Sequence, residues 1–190
     1  MKKLIAILLS VLMLSSLAAA FAESPETSDD TTTVQLDYIE LSKDEYDYID
    51  GVETTISNIG LKIWLPEYLF DGQLELTEED DNRGFLVKLQ DVQGGPLTFS
   101  VAALGTDQVE SLEQWAGYLL MHDDNYSNVQ MLNINGIDAV AYYVPSMDTE
   151  VISFHLSNND IIEFYFSPFA DEDWSEMIRA MICSIEVTED

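Results

Sequence analysis

The sequence predicts an α+β fold in which two main helices pack on an antiparallel sheet. Four apolar runs within residues 129–166 are separated by turn residues at strand-like spacing, which predicts consecutive antiparallel strands. Segments with helical periodicity at residues 111–122 and 171–183 stand before and after those strands. The order of strands, helix, strands and helix favours two helices packed on one sheet.

Turn residues define where the central strands begin and end. Asn135-Gly136 is favoured where both central residues of a two-residue hairpin adopt positive φ, and polar segments at 145–148 and 158–160 mark the next turns. The four predicted strands are 129–134, 137–144, 151–156 and 161–166.

Alternation along the last two of these strands divides their side chains between two faces. The apolar face is predicted core and comprises Ile152, Phe154, Leu156, Ile162, Phe164 and Phe166. The opposite face is mixed and carries Val151, Ser153, His155, Ile161, Glu163 and Tyr165. We expect this mixed face to be only half covered.

Three side chains on the mixed face are the candidate ligand-binding residues. Tyr142, His155 and Tyr165 share this face if the strands pair in the simplest register. A shallow pocket there would suit a peptide or a small organic ligand. The alternative is that the tyrosines cover the sheet beneath a helix with their hydroxyls at the rim.

Both helices carry end signals. Ser111 and Gln114 resemble a capping box that begins a helix running to about His122. Acidic residues 171–173 precede the last helix, where they offset its unpaired amides. Its apolar residues recur at helical spacing and are Trp174, Met177, Ile178, Met181 and Ile182. Cys183, the only cysteine, excludes an internal disulfide and is expected to behave as a small buried hydrophobic residue.

Residues 51–190 are predicted to form one domain that opens with a hairpin of strands 52–57 and 61–65. Pro66 is expected to keep the second of these strands out of a central position, because proline cannot donate to a sheet ladder. Further strands are expected at 74–77, 85–92 and 97–104, with an exposed acidic turn at 78–84.

The N-terminal residues indicate export. Lys2 and Lys3, an apolar run at 4–17 and small residues ending at Ala22 predict a signal peptide over residues 1–22. Residues 23–50 are predicted to be an acidic, largely disordered spacer, with a short strand or helix laid on the domain within 34–50. The expected location is therefore secreted or extracytoplasmic.

The charge balance limits the partners. Acidic residues number 36 and basic residues 7, for a formal net charge of −29, so we expect no nucleic-acid partner and little affinity for anionic lipid. No later segment is apolar enough to insert in a membrane after signal cleavage. A solvated acidic surface explains this charge, with cation loading or recognition of a basic partner as alternatives.

No motif in the sequence demands a particular chemistry. His122 and His155 lie in different elements without zinc-ligand spacing, and neither a serine nucleophile elbow nor a phosphate-binding glycine loop is present. Calcium is the more serious inorganic option, with oxygen ligands at 78–82, 123–125, 158–160 and 171–173, although none has the spacing of a calcium loop. We assign no cofactor, metal ligand or catalytic residue.

Several local features together resemble a known fold. They are the strand end Trp64-Leu65-Pro66, the mid-chain helix with Trp115, the hairpin at 134–137 and the closing helix that leads into Ser184-Ile185. This combination, over residues 51–187, resembles the PsbP-like fold of a photosystem extrinsic subunit, a Ran-binding nuclear-import factor and many bacterial secreted proteins of unassigned role. The resemblance implies an α/β/α sandwich with a central antiparallel sheet and a non-enzymatic binding or assembly role. It transfers no site residue because no family site is matched.

The expected function is a secreted, non-enzymatic binding or assembly domain whose partner is an unknown protein or small ligand. One alternative is an envelope-acting hydrolase with an unrecognised carboxylate site. Residues 78–81 supply paired acids, but an exposed turn is unlike the apolar site that keeps a catalytic acid protonated. The other alternative is a low-affinity calcium-binding protein.

Overall fold

The computed structural model describes residues 36–48, 50–56, 59–69, 85–90, 95–104, 109–155 and 161–188. The predicted signal peptide, the strand at 74–77 and the turns at 78–84 and 158–160 lie outside the described residues. Ten strands and two α-helices are present in the described part of the chain.

Seven strands form the main sheet. Their bounds are β1 Tyr38–Leu41, β4 Phe85–Gln90, β5 Thr98–Leu104, β6 Ser127–Ile134, β7 Ile137–Val144, β8 Thr149–His155 and β9 Ile161–Ser167. The strand order is β1-β6-β7-β8-β9-β5-β4, and all neighbours are antiparallel except the parallel pair β1 and β6. The four consecutive antiparallel strands predicted from the sequence are confirmed as β6 to β9.

The opening hairpin forms a second sheet with the chain end. Its strands are β2 Gly51–Ile56, β3 Leu61–Pro66 and β10 Glu186–Val187, in the order β10-β3-β2. The expectation that Pro66 excludes a central position for β3 is wrong. Strand β10 pairs with β3 at Leu61 and Lys62. Pro66 lies at the other end of β3 and has no described strand on that side that would need its missing N–H.

One α-helix lies on each side of the main sheet. Helix α1, Leu112–Met121, packs on one face, while α2, Glu172–Cys183, covers the other face together with the three-stranded sheet. The predicted α+β class is confirmed, and the second sheet is an addition to it. No helix in the described ranges is long and apolar enough to cross a membrane.

Side chains cap both helices as their sequences predict. The Ser111 hydroxyl accepts a 3.2 Å hydrogen bond from the backbone N–H of Gln114, whose side-chain oxygen accepts from the N–H of Glu110. The Asp171 carboxylate accepts from the N–H of Asp173 at 2.9 Å. These bonds satisfy amides that the first helical turn leaves unpaired.

The larger hydrophobic core lies between the main sheet and the layer formed by α2 and the small sheet. The apolar face predicted for β8 and β9 belongs to this core, with Leu156 outside the described residues. Phe99 on β5 joins it, with its ring centre 5.6 Å from that of Phe164. Cys183 is buried as predicted, and burial raises the pKa of its thiol to about 11.

The short strand or helix expected within residues 34–50 is present. Strand β1 and a 3₁₀ helix at Lys43–Glu45 both lie in this part of the predicted acidic spacer. Strand β1 pairs with β6 from Tyr38 to Leu41, because its backbone completes the hydrogen bonds of that edge. The backbone N–H of Lys43 also donates to Oδ1 of Asn135 at 3.0 Å, which ties the 3₁₀ helix to the turn between β6 and β7.

Candidate functional site

The strand register places the candidate ligand residues on one face of the main sheet. Tyr142 on β7 lies opposite Val151 on β8, and Val151 lies opposite Tyr165 on β9. His155 is four residues beyond Val151 on β8, so strand alternation returns its side chain to the same face. Helix α1 covers this face, which is therefore more fully buried than the sequence led us to expect.

A buried carboxylate gathers the polar side chains under α1. Glu163 is only 2% exposed. Its Oε1 accepts from the Tyr142 hydroxyl at 2.7 Å and from the Ser153 hydroxyl at 3.1 Å, and its Oε2 accepts from the Tyr165 hydroxyl. The indole N–H of Trp115 on α1 donates to the Ser153 oxygen at 3.1 Å. We call these five residues the Glu163 network.

The Glu163 network directs the two candidate tyrosine hydroxyls into the protein. Burial, followed by the charge of Glu163, raises the pKa of Tyr142, so its hydroxyl stays a donor. Sequence reasoning missed the role of Glu163, and the available signal was a single acid inside the apolar run of β9. A buried carboxylate needs hydrogen-bond donors. The expected partners of Glu163 are therefore the hydroxyl groups at matching positions of the adjacent strands.

His155 belongs to a different feature, a surface depression of about 410 Å³ beside the first turn of α1. The residues that line it are Tyr38, Glu110, Ser111, Leu112, Glu113, Gly136, Ile137, Asp138, His155 and Val187. Three of these carry carboxylates and none is a lysine or arginine. The structure thus separates His155 from Tyr142 and Tyr165, and ligand binding by these residues stays a prediction.

Hydrogen bonds and neighbouring charges shift the pKa values of Tyr38 and Glu113 in this depression. The Tyr38 hydroxyl donates to Oε1 of Glu113 at 3.2 Å. Burial and the charges of Glu113 and Asp138 raise the pKa of Tyr38 to about 12. Three hydrogen bonds lower the pKa of Glu113: in decreasing order of effect, they come from its own backbone N–H, from Ser111 and from Tyr38. This carboxylate therefore stays ionised. Nε2 of His155 is buried without a hydrogen-bond partner among the described residues.

The described ion pairs lie in a separate cluster. Lys43 and Lys62 each contact both Glu53 and Glu186, at distances from 2.9 to 3.3 Å. The hydrogen bond from Lys43 is the main cause that lowers the pKa of both glutamates. This cluster joins the 3₁₀ helix to β2, β3 and β10, so its lysines are engaged outside the acidic depression.

Metal ligands do not converge in the described part of the chain, where no group of three or more His, Cys, Asp or Glu side chains is placed to hold an ion. Asp171, in one of the segments considered for calcium, caps α2 instead. The segments at 78–82 and 158–160 lie outside the described residues, and calcium binding by them stays a prediction.

Comparisons with known proteins concern the fold. No protein-family model matches the chain, and no curated protein matches it. The structure is similar to the solution structure of cyanobacterial PsbP from Synechocystis sp. PCC 6803, with 13% sequence identity and a TM-score of 0.49. The match covers 73% of this chain and 92% of that one.

Proposed function

We propose that this chain is an exported, non-enzymatic domain that binds a positively charged segment of a partner protein. The observation that carries this proposal is the acidic depression, where Glu110, Glu113 and Asp138 stand beside Tyr38 and His155. Carboxylates accept hydrogen bonds from lysine and arginine, and an aromatic ring adds attraction for the same cations.

The charges of this depression are open to a partner. All ion pairs among the described residues belong to the cluster of Lys43 and Lys62, so no described cation neutralises the three lining carboxylates. A formal net charge of −29 adds a long-range attraction for basic proteins, which salt screens beyond about 8 Å at physiological ionic strength. Binding should therefore be fast and sensitive to salt.

Two further observations support the exported, non-enzymatic part of the proposal. The pattern over residues 1–22 is typical of a secretory signal. The polar groups of the Glu163 network bond to one another under α1, which is the arrangement of a structural network. A carboxylate that serves in catalysis would instead need to reach a substrate.

The test is a calorimetric titration of the chain without residues 1–22, using a short peptide of lysine and serine. Changing Glu110→Gln, Glu113→Gln and Asp138→Asn together should raise the dissociation constant about tenfold, because three carboxylates leave the site. The control variant removes the same charge at exposed positions outside the depression, through Asp47→Asn, Glu67→Gln and Glu176→Gln.

The control variant should bind the peptide nearly as well as the unchanged protein. Equal weakening in the two variants would mean that net charge alone attracts the peptide, and the depression would lose its role. Absence of any binding at low salt would contradict the proposed function itself.

A further inference from the structure

Three apolar side chains stand exposed at the C-terminal end of α1, the helix whose first turn borders the acidic depression. Tyr118 is 43% exposed, Leu120 38% and Met121 74%. Isolated exposed apolar residues are common, but a group rimmed by polar residues marks an interaction site. Methionine suits such a surface because its flexible thioether adapts to different partners.

The aromatic part of this surface is held in place. The ring of Tyr118 stacks on Trp115 with centres 5.3 Å apart and planes within 9°, and it also contacts the ring of His122 at 4.5 Å. Trp115 is fixed in turn by its hydrogen bond to Ser153. A surface whose side chains are already ordered loses little entropy when a partner binds.

Acidic residues flank the apolar group at both ends. Glu113, which lines the depression, is eight residues before Met121, so the two lie about two turns apart on the same side of α1. Asp123 and Asp124 are exposed in the turn that follows Met121. Acids therefore lie on both sides of the apolar group along α1, Glu113 before it and Asp123 and Asp124 after it.

We propose that Tyr118, Leu120 and Met121, here called the α1 patch, dock apolar side chains of the same positively charged segment. The inference rests on the proposed function and specifies its partner as a segment that combines lysine or arginine with apolar residues. Charge complementarity selects this occupant over a second copy, since two chains of net charge −29 would bring acids against acids at this surface. Anionic lipid is repelled for the same reason.

The experiment compares two peptides of equal length and charge, one of lysine and leucine and one of lysine and serine, binding to the chain without residues 1–22. The lysine–leucine peptide should bind about tenfold more tightly. Changing Leu120→Ser and Met121→Ser together should remove most of that difference. Met147→Ser is the matched control, because Met147 is 60% exposed and lies outside the patch.

The outcomes separate the two proposals. Equal binding of the two peptides, or an advantage of leucine that survives the paired change at Leu120 and Met121, overturns the α1 patch and leaves the proposed function standing. Failure of both peptides to bind overturns the proposed function and the patch with it. Sedimentation that shows a dimer lost on changing Met121→Ser would overturn the choice of partner in favour of a second copy.

Discussion

The hydroxyl of Tyr142 donates a 2.7 Å hydrogen bond to Oε1 of Glu163 beneath α1. The two residues lie on β7 and β9, with β8 between them, and they meet because both side chains leave the sheet on the face that α1 covers. Hydroxyl donors stabilise a buried carboxylate that would otherwise be costly to desolvate. Through Ser153 and Trp115 the same bonds reach α1, so the network helps to position that helix.

Changing Glu163→Gln should lower the free energy of unfolding by about 2–3 kcal/mol, because an amide nitrogen cannot accept the bond from Tyr165 and the charge is lost. Tyr142→Phe removes a single donor and should cost about 1–2 kcal/mol. Urea unfolding measures both, and a double-mutant cycle gives their coupling. A Glu163→Gln protein as stable as the unchanged one would show that the network contributes nothing.

A second acid, the half-buried Glu150 on β8, should lower the stability of the fold when it ionises. Its Oε2 has no hydrogen-bond partner among the described residues, and burial raises its pKa from 4.5 to about 8 against the opposing charge of Arg179. The folded carboxyl thus keeps a proton that the unfolded chain releases. Its contribution to stability is present below pH 4.5 and is lost as the pH rises through about 8.

The substitution Glu150→Gln removes this loss because an amide does not ionise. Above pH 8 the variant should be more stable than the unchanged protein by on the order of 3 kcal/mol, and below pH 4.5 the two should differ little. Urea unfolding across this range provides the comparison. Stability curves that run parallel at every pH would contradict the assignment.

Asn135 joins the central hairpin to the end of α2. It adopts a φ of 50°, and its Nδ2 donates to the carbonyl oxygens of Cys183 at 2.7 Å and Ile185 at 2.9 Å. Asn135→Asp keeps the shape and the backbone conformation but replaces the donor by a carboxylate facing two carbonyls. We expect a loss of about 2–3 kcal/mol, seen as a lower melting temperature.

The matched control for this change is Asn128→Asp. Asn128 also has positive φ, at 54°, and its side chain is exposed. Its substitution should leave the melting temperature nearly unchanged. Similar losses at both positions would point to the added negative charge rather than to the bonds of Asn135.

Gly51 is required by its contact with Trp64. A Cβ atom at Gly51 would overlap the indole ring, which also packs edge-on against Tyr48 with centres 5.4 Å apart. Gly51→Ala should therefore cost about 1–3 kcal/mol through displacement of the indole. Tryptophan fluorescence during thermal unfolding measures both the displacement of the indole and the loss of stability. Thr55→Ala is the control, because Thr55 is exposed on the same strand. An unshifted emission spectrum and melting curve would refute this reason for the glycine.

Much of the secondary structure could be predicted from the sequence. The turn at Asn135-Gly136, the strand Ile137–Val144 and the cap at Ser111 all appear where the residues indicate. These features depend on contacts between residues close in sequence. Turn residues, strand alternation and helix caps express such contacts directly.

Long-range pairing was harder to predict. The central position of β3 depends on where the short strand β10 returns, and the place of β1 depends on the open edge of β6. For the candidate site, the shared face of Tyr142, His155 and Tyr165 followed from alternation. Their separation into the Glu163 network and the acidic depression depends on the position of α1.

Local patterns along the chain were therefore sufficient to place the central hairpins, both helices and the two faces of the sheet, because backbone geometry and apolar periodicity act over a few residues. Only the tertiary structure decided how completely each face is covered and which acids stayed at the surface. Glu163 and Glu113 are the same residue type in sequence, and α1 covers one while its first turn leaves the other beside the depression. Desolvation and hydrogen bonding depend on that packing, which is why the two carboxylates differ in role.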